Sequence, residues 1–315
     1  MKALVYLGEQ EMVIREEPAP KPSANEVIIL ISAAAICGSE LGAVKHNDPS
    51  RKVPLIMGHE FVGIRADTGQ LVAVNPLVTC GTCDRCRAGQ QNLCRTRSLI
   101  GVHRSGGFAE QVAVAISSTH ELPSGTSAMS AVLIEPLANA WHLWHLSGAK
   151  SSSHIGIIGG GAIGLMTAIV ALHNGAADVT LADVSEARRS TARGAGVPTV
   201  VDHLDDEYDV IVDAVGANAT RAASIRQLRP GGRALWEGLH DGDSVVDGRD
   251  LARREISILG SFAYSEDEFA QAVQTVGLVD ERWVQAASLD EGDVVFRRLM
   301  ESSESAVRTV LVPSL

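Results

Sequence analysis

Short apolar runs rich in β-branched residues recur along the first third of the chain. Ala3–Tyr6 and Val27–Ser32 are two of them, separated by a stretch that holds Pro18, Pro20 and Pro22. Such runs, bounded by prolines that cannot donate to a ladder, predict strands. Residues 53–75 continue in this style and end on Leu71-Val72-Ala73-Val74. Gly106-Gly107 and Pro123-Ser124-Gly125 predict turns. The segment 80–94 mixes cysteine, glycine and polar residues, which predicts a loop.

The pattern changes near residue 139. From Ile155 on, short β-branched runs alternate with helical ones. Strands are predicted at Ile155–Ile158, Val179–Ala182, Tyr208–Val212, Arg233–Trp236 and Ile256–Leu259. Helices are predicted at Ile163–His173, Ser185–Arg193 and Ala219–Leu228, the last stopped by Pro230-Gly231-Gly232. This alternation predicts βαβ units, hence an α/β fold with a parallel sheet covered on both faces. Helical patterns at Glu266–Val276 and Val294–Met300 and a strand at Thr309–Val312 close the chain.

Composition narrows the class. At 315 residues with 45% hydrophobic and 21% charged positions, the chain suits a soluble protein of about two domains. It is neither a disordered chain nor a small disulfide scaffold. The formal charge of −11 argues against nucleic acid and anionic lipid as partners, both of which need a basic patch. A small anionic substrate stays open, because a pocket has its own local charge. Ile155–Leu172 is eighteen residues without a charge, but its glycine cluster divides it into strand, turn and helix rather than a membrane span. The N-terminal apolar run is too short for a signal peptide, so a reducing cytoplasm is the expected compartment. Five cysteines, an odd number, fit metal or catalytic use better than a disulfide framework.

Gly159-Gly160-Gly161-Ala162-Ile163-Gly164 fits G-x-G-x-x-G. It follows a predicted strand and opens a predicted helix, the context in which the pattern means a dinucleotide site. Gly159 permits a tight turn, Gly161 lets the backbone approach a pyrophosphate, and Gly164 allows close helix–strand packing. The free N–H groups of the helix start attract the anion. Asp183 lies nineteen residues past Gly164, at the end of the next strand. A carboxylate there accepts from both ribose hydroxyls and repels a 2′-phosphate, which favours NAD over NADP. Arg188 and Arg189, just beyond, are the residues that could favour NADP.

Cys80, Cys83, Cys86 and Cys94 put four thiols within fifteen residues. Four thiolates at this spacing can close a tetrahedron around Zn²⁺ with no position left for substrate, so the site would be structural. An iron–sulfur cluster and a pair of disulfides are the rivals. Cys37, the pair His59-Glu60 and the distant Glu135 are each, taken singly, ordinary packing or polar residues. Together they supply a thiolate, an imidazole and carboxylates, a set suited to a zinc with an open position for an alcohol. Such a zinc lowers the pKa of the bound alcohol, and the alkoxide releases hydride readily. A nicotinamide is a hydride acceptor.

On Ile36-Cys37-Gly38-Ser39, Gly58-His59-Glu60, the four-cysteine loop, Gly106-Gly107-Phe108-Ala109-Glu110, Ile134-Glu135-Pro136-Leu137, the glycine fingerprint, Val212-Asp213-Ala214-Val215-Gly216, Leu228-Arg229-Pro230-Gly231-Gly232 and Gly260-Ser261-Phe262, the sequence resembles the zinc-dependent medium-chain alcohol and polyol dehydrogenases, including sorbitol and threonine dehydrogenases. The resemblance implies a GroES-like β-rich catalytic domain, residues 1–138 and 266–315, and a Rossmann domain, residues 139–265, with the active site in the cleft. It implies catalytic zinc ligands at Cys37, His59, Glu60 and Glu135, and structural zinc on the four cysteines, so two zinc ions per chain. Ser39 matches the hydroxyl that takes the substrate proton. Gly159, Gly161, Ala162, Ile163, Gly164, Asp183, Arg188 and Val215 match the cofactor site. The implied reaction passes hydride between a secondary alcohol, polyol, cyclitol or sugar phosphate and NAD. A homodimer or homotetramer is the implied assembly.

The sequence departs from that family in places. A histidine usually stands five residues after the Cys37 position and relays the proton to solvent; here the residue is Gly42, with His46 the nearest substitute. Glu40 stands where aspartate is usual. The segments between His59 and Val72 and between Gly196 and Tyr208 are shortened. The aromatics of Trp141-His142-Leu143-Trp144-His145 are expected in the core or between domains. Gly42 also raises the rival reading of a zinc-stabilised dinucleotide sensor or scaffold whose active site has decayed.

Overall fold

The computed structural model describes residues 1–301 and 307–313. Residues 302–306 and 314–315, which the expected catalytic domain would include, lie outside the described residues. The chain forms two compact units, Met1–Glu135 with Ser265–Leu315, and Pro136–Tyr264.

The first unit is built on the strand Glu26–Ile36. It pairs antiparallel with Glu60–Arg65, with Gln111–Ala115 and, through its last residues, with Arg308–Val312. The sequence pattern ends this strand at Ser32, but it runs on through Ala33-Ala34-Ala35, which carry no β signal of their own. All three alanines are fully buried, so tertiary packing overrides their weak strand propensity. A hairpin of Lys2–Gly8 and Glu11–Glu16 covers the core. Tyr6, Ile29, Met57, Phe61 and Ile100 fill that core, and Phe108 meets Phe296 edge-on at 6.3 Å.

Register decides what this sheet can do. Ala35 lies opposite Glu60 on one side and Val310 on the other, and Ile36 lies opposite Thr309. Opposed side chains share a face and successive ones alternate. Glu60, Cys37 and Arg308 therefore emerge on one face, from three adjacent strand ends.

The second unit is a six-stranded, wholly parallel sheet of His154–Ile158, Asp178–Ala182, Thr199–Val201, Tyr208–Asp213, Leu228–Trp236 and Ser257–Gly260. Numbered in sequence, their spatial order is 3-2-1-4-5-6. That is the doubly wound Rossmann order, with its switch point between the first and fourth strands. The predicted α/β fold class is thus observed, with a β-rich unit drawn from both chain ends and a second unit that holds the Rossmann sheet. One stretch differs in detail from its sequence pattern. The helix expected to end at Leu228 spans Asn218–Arg226, and Leu228 already pairs with Tyr208. The next partners are Val210 and Arg233, so Pro230-Gly231-Gly232 bulges out of a strand rather than stopping a helix.

Candidate active site

Cys37 precedes the short helix Gly38–Lys45, which the sequence pattern did not predict because two of its eight residues are glycine. Its backbone N–H donates to Glu40 Oε2 at 3.0 Å. Glu40 Oε1 accepts from the Gly58 N–H at 2.9 Å and the His59 N–H at 3.2 Å, and lies 2.9 Å from His59 Nδ1. One fully buried carboxylate thus ties the Cys37 turn to the Gly58-His59 turn. Gly58 has φ +97°, and a Cβ there would fall 2.7 Å from the Phe108 ring, so only glycine fits at this corner. With Nδ1 engaged by Glu40, the other nitrogen of His59 is left for Cys37.

Glu40 is therefore more than a mild replacement for aspartate. Burial alone would push its carboxyl up. The charge and hydrogen bond of His59, the charge of Arg51 and the Cys37 N–H outweigh that and hold it below the usual range. Burial would likewise lower His59, but Glu40 and Cys37 raise it well above its ordinary value. A metal ion on that nitrogen would take the proton's place.

Ligand atoms of Cys37, His59 and Glu60 all lie within 4.8 Å of one another. Both His59 and Glu60 are buried, and Cys37 is half-buried. Thiolate, imidazole and carboxylate form a donor set that fits zinc. Glu60 also meets a residue that sequence reasoning missed. Arg308 Nε donates to Glu60 Oε2 at 2.8 Å and Nη2 to Oε1 at 2.7 Å, and Nη2 lies 3.6 Å from Cys37 Sγ. Strands one removed lie roughly 10 Å apart, and Arg308 spans that distance over the small side chain of Ala35. Burial would weaken the Arg308 charge, but Glu60, Cys37 and Glu135 together hold it firmly protonated. No local signal marks Arg308, since it is 248 residues from Glu60 and only register joins them.

Glu135 stands apart from that close trio, in the first turn of the helix Ile134–Ser147, where its charge acts on Arg308. Ser39 is exposed in the first turn after Cys37. A Cβ on Gly42 would meet nothing within 4 Å, so among the described residues no side chain fills the space a relay histidine would take. His46 is exposed at the end of the same helix, its N–H donating to the Gly42 carbonyl.

The four-cysteine segment holds one helical turn, Asp84–Arg87, within its loop. All five cysteines are free, which removes the disulfide rival. Sulfur separations are 3.9 Å for Cys80–Cys86, 3.6 Å for Cys83–Cys86 and 3.6 Å for Cys80–Cys94. Zn–S bonds of about 2.3 Å in a tetrahedron give edges of about 3.8 Å, so the spacing fits zinc. N–H and hydroxyl donors from Thr82 and the Cys83 N–H pull the Cys80 thiol down to about 5, while burial and its neighbouring sulfurs push Cys86 up to about 11. Four sulfurs this close cannot all ionise without a cation among them.

In the second unit, Gly159 turns at φ +104°, and a Cβ on Gly164 would fall 1.7 Å from the Gly159 carbonyl oxygen. Gly161 caps the helix Ala162–His173, and nothing lies within 4 Å of where its Cβ would be, leaving the approach to the helix start clear. Asp183 Oδ2 accepts from the Gly160 N–H at 2.7 Å, and Oδ1 from the Ser185 N–H at 2.7 Å. Arg188 Nη1 is 3.5 Å from the same carboxylate. Arg189 is tied to Glu186 and to the Asp183 carbonyl, which takes it out of competition for a phosphate. Val215 packs on Gly159, 2.7 Å from where a Cβ there would sit. The Val215 loop is fixed by Asp213, another residue not singled out from sequence. This fully buried carboxylate accepts from the Val215 and Gly216 N–H groups at 2.9 Å each and from the Thr220 hydroxyl at 3.0 Å.

Residues 23–124 match the family model of the alcohol dehydrogenase GroES-like domain, and residues 162–277 that of the zinc-binding dehydrogenases. The chain is 30% identical to L-threonine 3-dehydrogenase of Pseudoalteromonas atlantica, over 93% of this chain and 89% of that protein. It is 29% identical to L-galactonate-5-dehydrogenase of Escherichia coli, over 86% of each. Acetophenone reductase from Geotrichum candidum, solved in complex with NAD, superposes with a TM-score of 0.92 at 26% identity, covering 99% of this chain and 96% of that one.

Proposed function

We propose, from the premise that the chain belongs to the zinc-binding medium-chain alcohol dehydrogenases, that it is an NAD-dependent enzyme oxidising a secondary alcohol of the polyol or sugar-acid kind. It is a zinc-dependent oxidoreductase of CH–OH groups, working on small molecules. The substrate class is suggested by the relatives that act on L-galactonate and L-threonine. One observation carries the residue assignment: strand register delivers Cys37, His59 and Glu60 within 4.8 Å of one another, with Glu40 fixing the imidazole behind them.

Zinc, when bound here, would supply a Lewis acid toward the substrate hydroxyl, and NAD would be the hydride acceptor. Cys37 Sγ and the His59 nitrogen facing it would hold the ion, with Glu60 and Glu135 as the carboxylates. Glu40 keeps His59 in one tautomer and orientation. Arg308 holds Glu60 by two hydrogen bonds, which keeps that carboxylate aligned and would compete with a metal ion for its oxygens. Ser39 Oγ receives the hydroxyl proton and, being exposed, passes it toward the open space beside Gly42. The four-cysteine loop would hold a second zinc, whose role would be to fix the loop's conformation. Asp183 receives the adenosine ribose and, with Arg189 occupied elsewhere, selects NAD over NADP. Homo-oligomer formation and a cytoplasmic setting belong to the same proposal; among the described residues no helix is long and apolar enough to cross a membrane.

The test is a panel of polyols, sugar acids, cyclitols and sugar phosphates with NAD and NADP in parallel, beside the zinc content of the protein. NADH formation with two zinc ions per chain supports the reading. Full zinc at both sites with no turnover on any alcohol overturns it, in favour of a dinucleotide-responsive scaffold.

A further inference from the structure

Arg51 is buried, only 7% exposed, yet it forms no ion pair among the described residues. Its one hydrogen bond runs from Nη1 to the Gly101 carbonyl at 3.1 Å, and its buried Nε has no partner. Two other buried arginines are better matched. Arg308 has the Glu60 carboxylate. Arg221, whose buried Nε is likewise unpartnered, has more contacts: it lies over the Trp236 ring at 5.2 Å and donates to Ser244 Oγ and the Gly238 carbonyl. A buried guanidinium with a spare N–H and no carboxylate is costly unless an anion completes it.

Its position gives the cost a purpose. Gly101, which takes the Arg51 hydrogen bond, packs on the turn that carries His59: a Cβ there would fall 2.5 Å from the Gly58 carbonyl and 2.9 Å from the His59 nitrogen. Gly101 thus links Arg51 to the turn that carries His59. Its charge reaches Glu40 and Asp48 without bonding to either. In a chain of net charge −11, an anionic substrate needs a local cation near the reacting carbon.

We propose that Arg51 recognises an anionic group of the substrate, so that the enzyme's alcohol carries a carboxylate or a phosphate that the Arg51 guanidinium binds. This rests on the dehydrogenase reading above. A planar fork with unused N–H groups suits either anion.

The test compares the zinc-loaded enzyme with NAD on galactonate, galactitol 1-phosphate and neutral galactitol, for the wild type, Arg51→Met and Arg51→Lys. The wild type should favour at least one anionic substrate over galactitol by about tenfold or more in kcat/KM. Arg51→Met should raise KM for that substrate by about tenfold more than it raises KM for galactitol, whatever common loss both share through Glu40, with Arg51→Lys recovering part of the difference. Equal loss on anionic and neutral substrates overturns the proposal, and Arg51 then only braces the Gly101 turn. Wild-type indifference to the anion overturns it as well. If no alcohol turns over, the dehydrogenase reading fails, and calorimetric titration of the NADH complex with galactonate and inorganic phosphate still decides the role of Arg51. Anion binding abolished by Arg51→Met but kept by Arg51→Lys supports it; binding unchanged in Arg51→Met, or none in the wild type, refutes it. Circular dichroism of both variants separates unfolding from lost recognition.

Discussion

The two candidate zinc sites of this chain are built in opposite ways. The four-cysteine loop draws all its sulfurs from residues 80–94, and its spacing alone closes a tetrahedron. The Cys37 site takes its proposed ligands from two turns and, with Glu135, the start of a helix, and sets Arg308, 248 residues away from Glu60, against one of them. The first is closed and serves structure. In our proposal the second stays open, and an arginine holds one of its carboxylates. Local spacing suffices for a staple, whereas an open Lewis-acid site has to be assembled by the fold.

That contrast predicts separable failures. Cys37→Ala should leave the loop zinc in place and cut turnover by about a thousandfold or more, since several kcal/mol of charge stabilisation go with the ion. Metal analysis should then find one zinc per chain in place of two. Cys86→Ser should do the reverse, losing the loop zinc and thermal stability while the folded fraction keeps its turnover. If Cys86→Ser abolishes catalysis at unchanged stability, the assignment of the two sites is wrong.

Arg308→Met leaves Glu60 buried without its partner and should destabilise the metal-free protein by about 3–5 kcal/mol in chemical denaturation. Zinc loading should recover part of that loss, because the ion offers Glu60 a new partner. No recovery would separate Glu60 from the ligand set.

Glu40→Gln removes the charge behind His59 and should weaken binding at the open site about 10–100-fold in a chelator competition, with the four-cysteine site unchanged. The pH dependence has a definite sign. Glu40 is held below its unfolded value of 4.5, so its contribution is present above that value and is lost as pH falls through the folded one. The wild type should lose this stability only in acid, and Glu40→Gln should flatten that limb of the stability profile.

The smallest effect concerns the cofactor. Asp183→Ser removes the acceptor for the ribose hydroxyls and the repulsion of a 2′-phosphate, with Arg188 beside it. The ratio of kcat/KM for NAD over NADP should fall by about tenfold or more, with turnover of the alcohol otherwise retained. An unchanged ratio would mean that Asp183 serves only to fix the Gly160 and Ser185 turns.

Much of the fold and part of the site could be read from residue order because their physics is local. Alternating β-branched and helical runs set the Rossmann strands, Gly159 and Gly164 make the turn and close packing their spacing implies, and Asp183 stands at the expected strand end, since turn, packing and strand end all fall within one βαβ unit. The four cysteines needed no fold at all. The sequence pattern lost the strand at Ala33-Ala34-Ala35, because alanine pairs there only under burial on both sides. Arg308 and Arg51 gave no signal, and Glu40 and Asp213 could be placed without their contacts being read, for a related reason: their partners are set by sheet register and by turns that pack against each other, and neither leaves a periodic trace. Residue order by itself thus determined which chemical groups this protein owns and where its turns must fall. Only the tertiary structure decided which groups meet, because pairing across strands fixes distances that spacing along the chain does not encode.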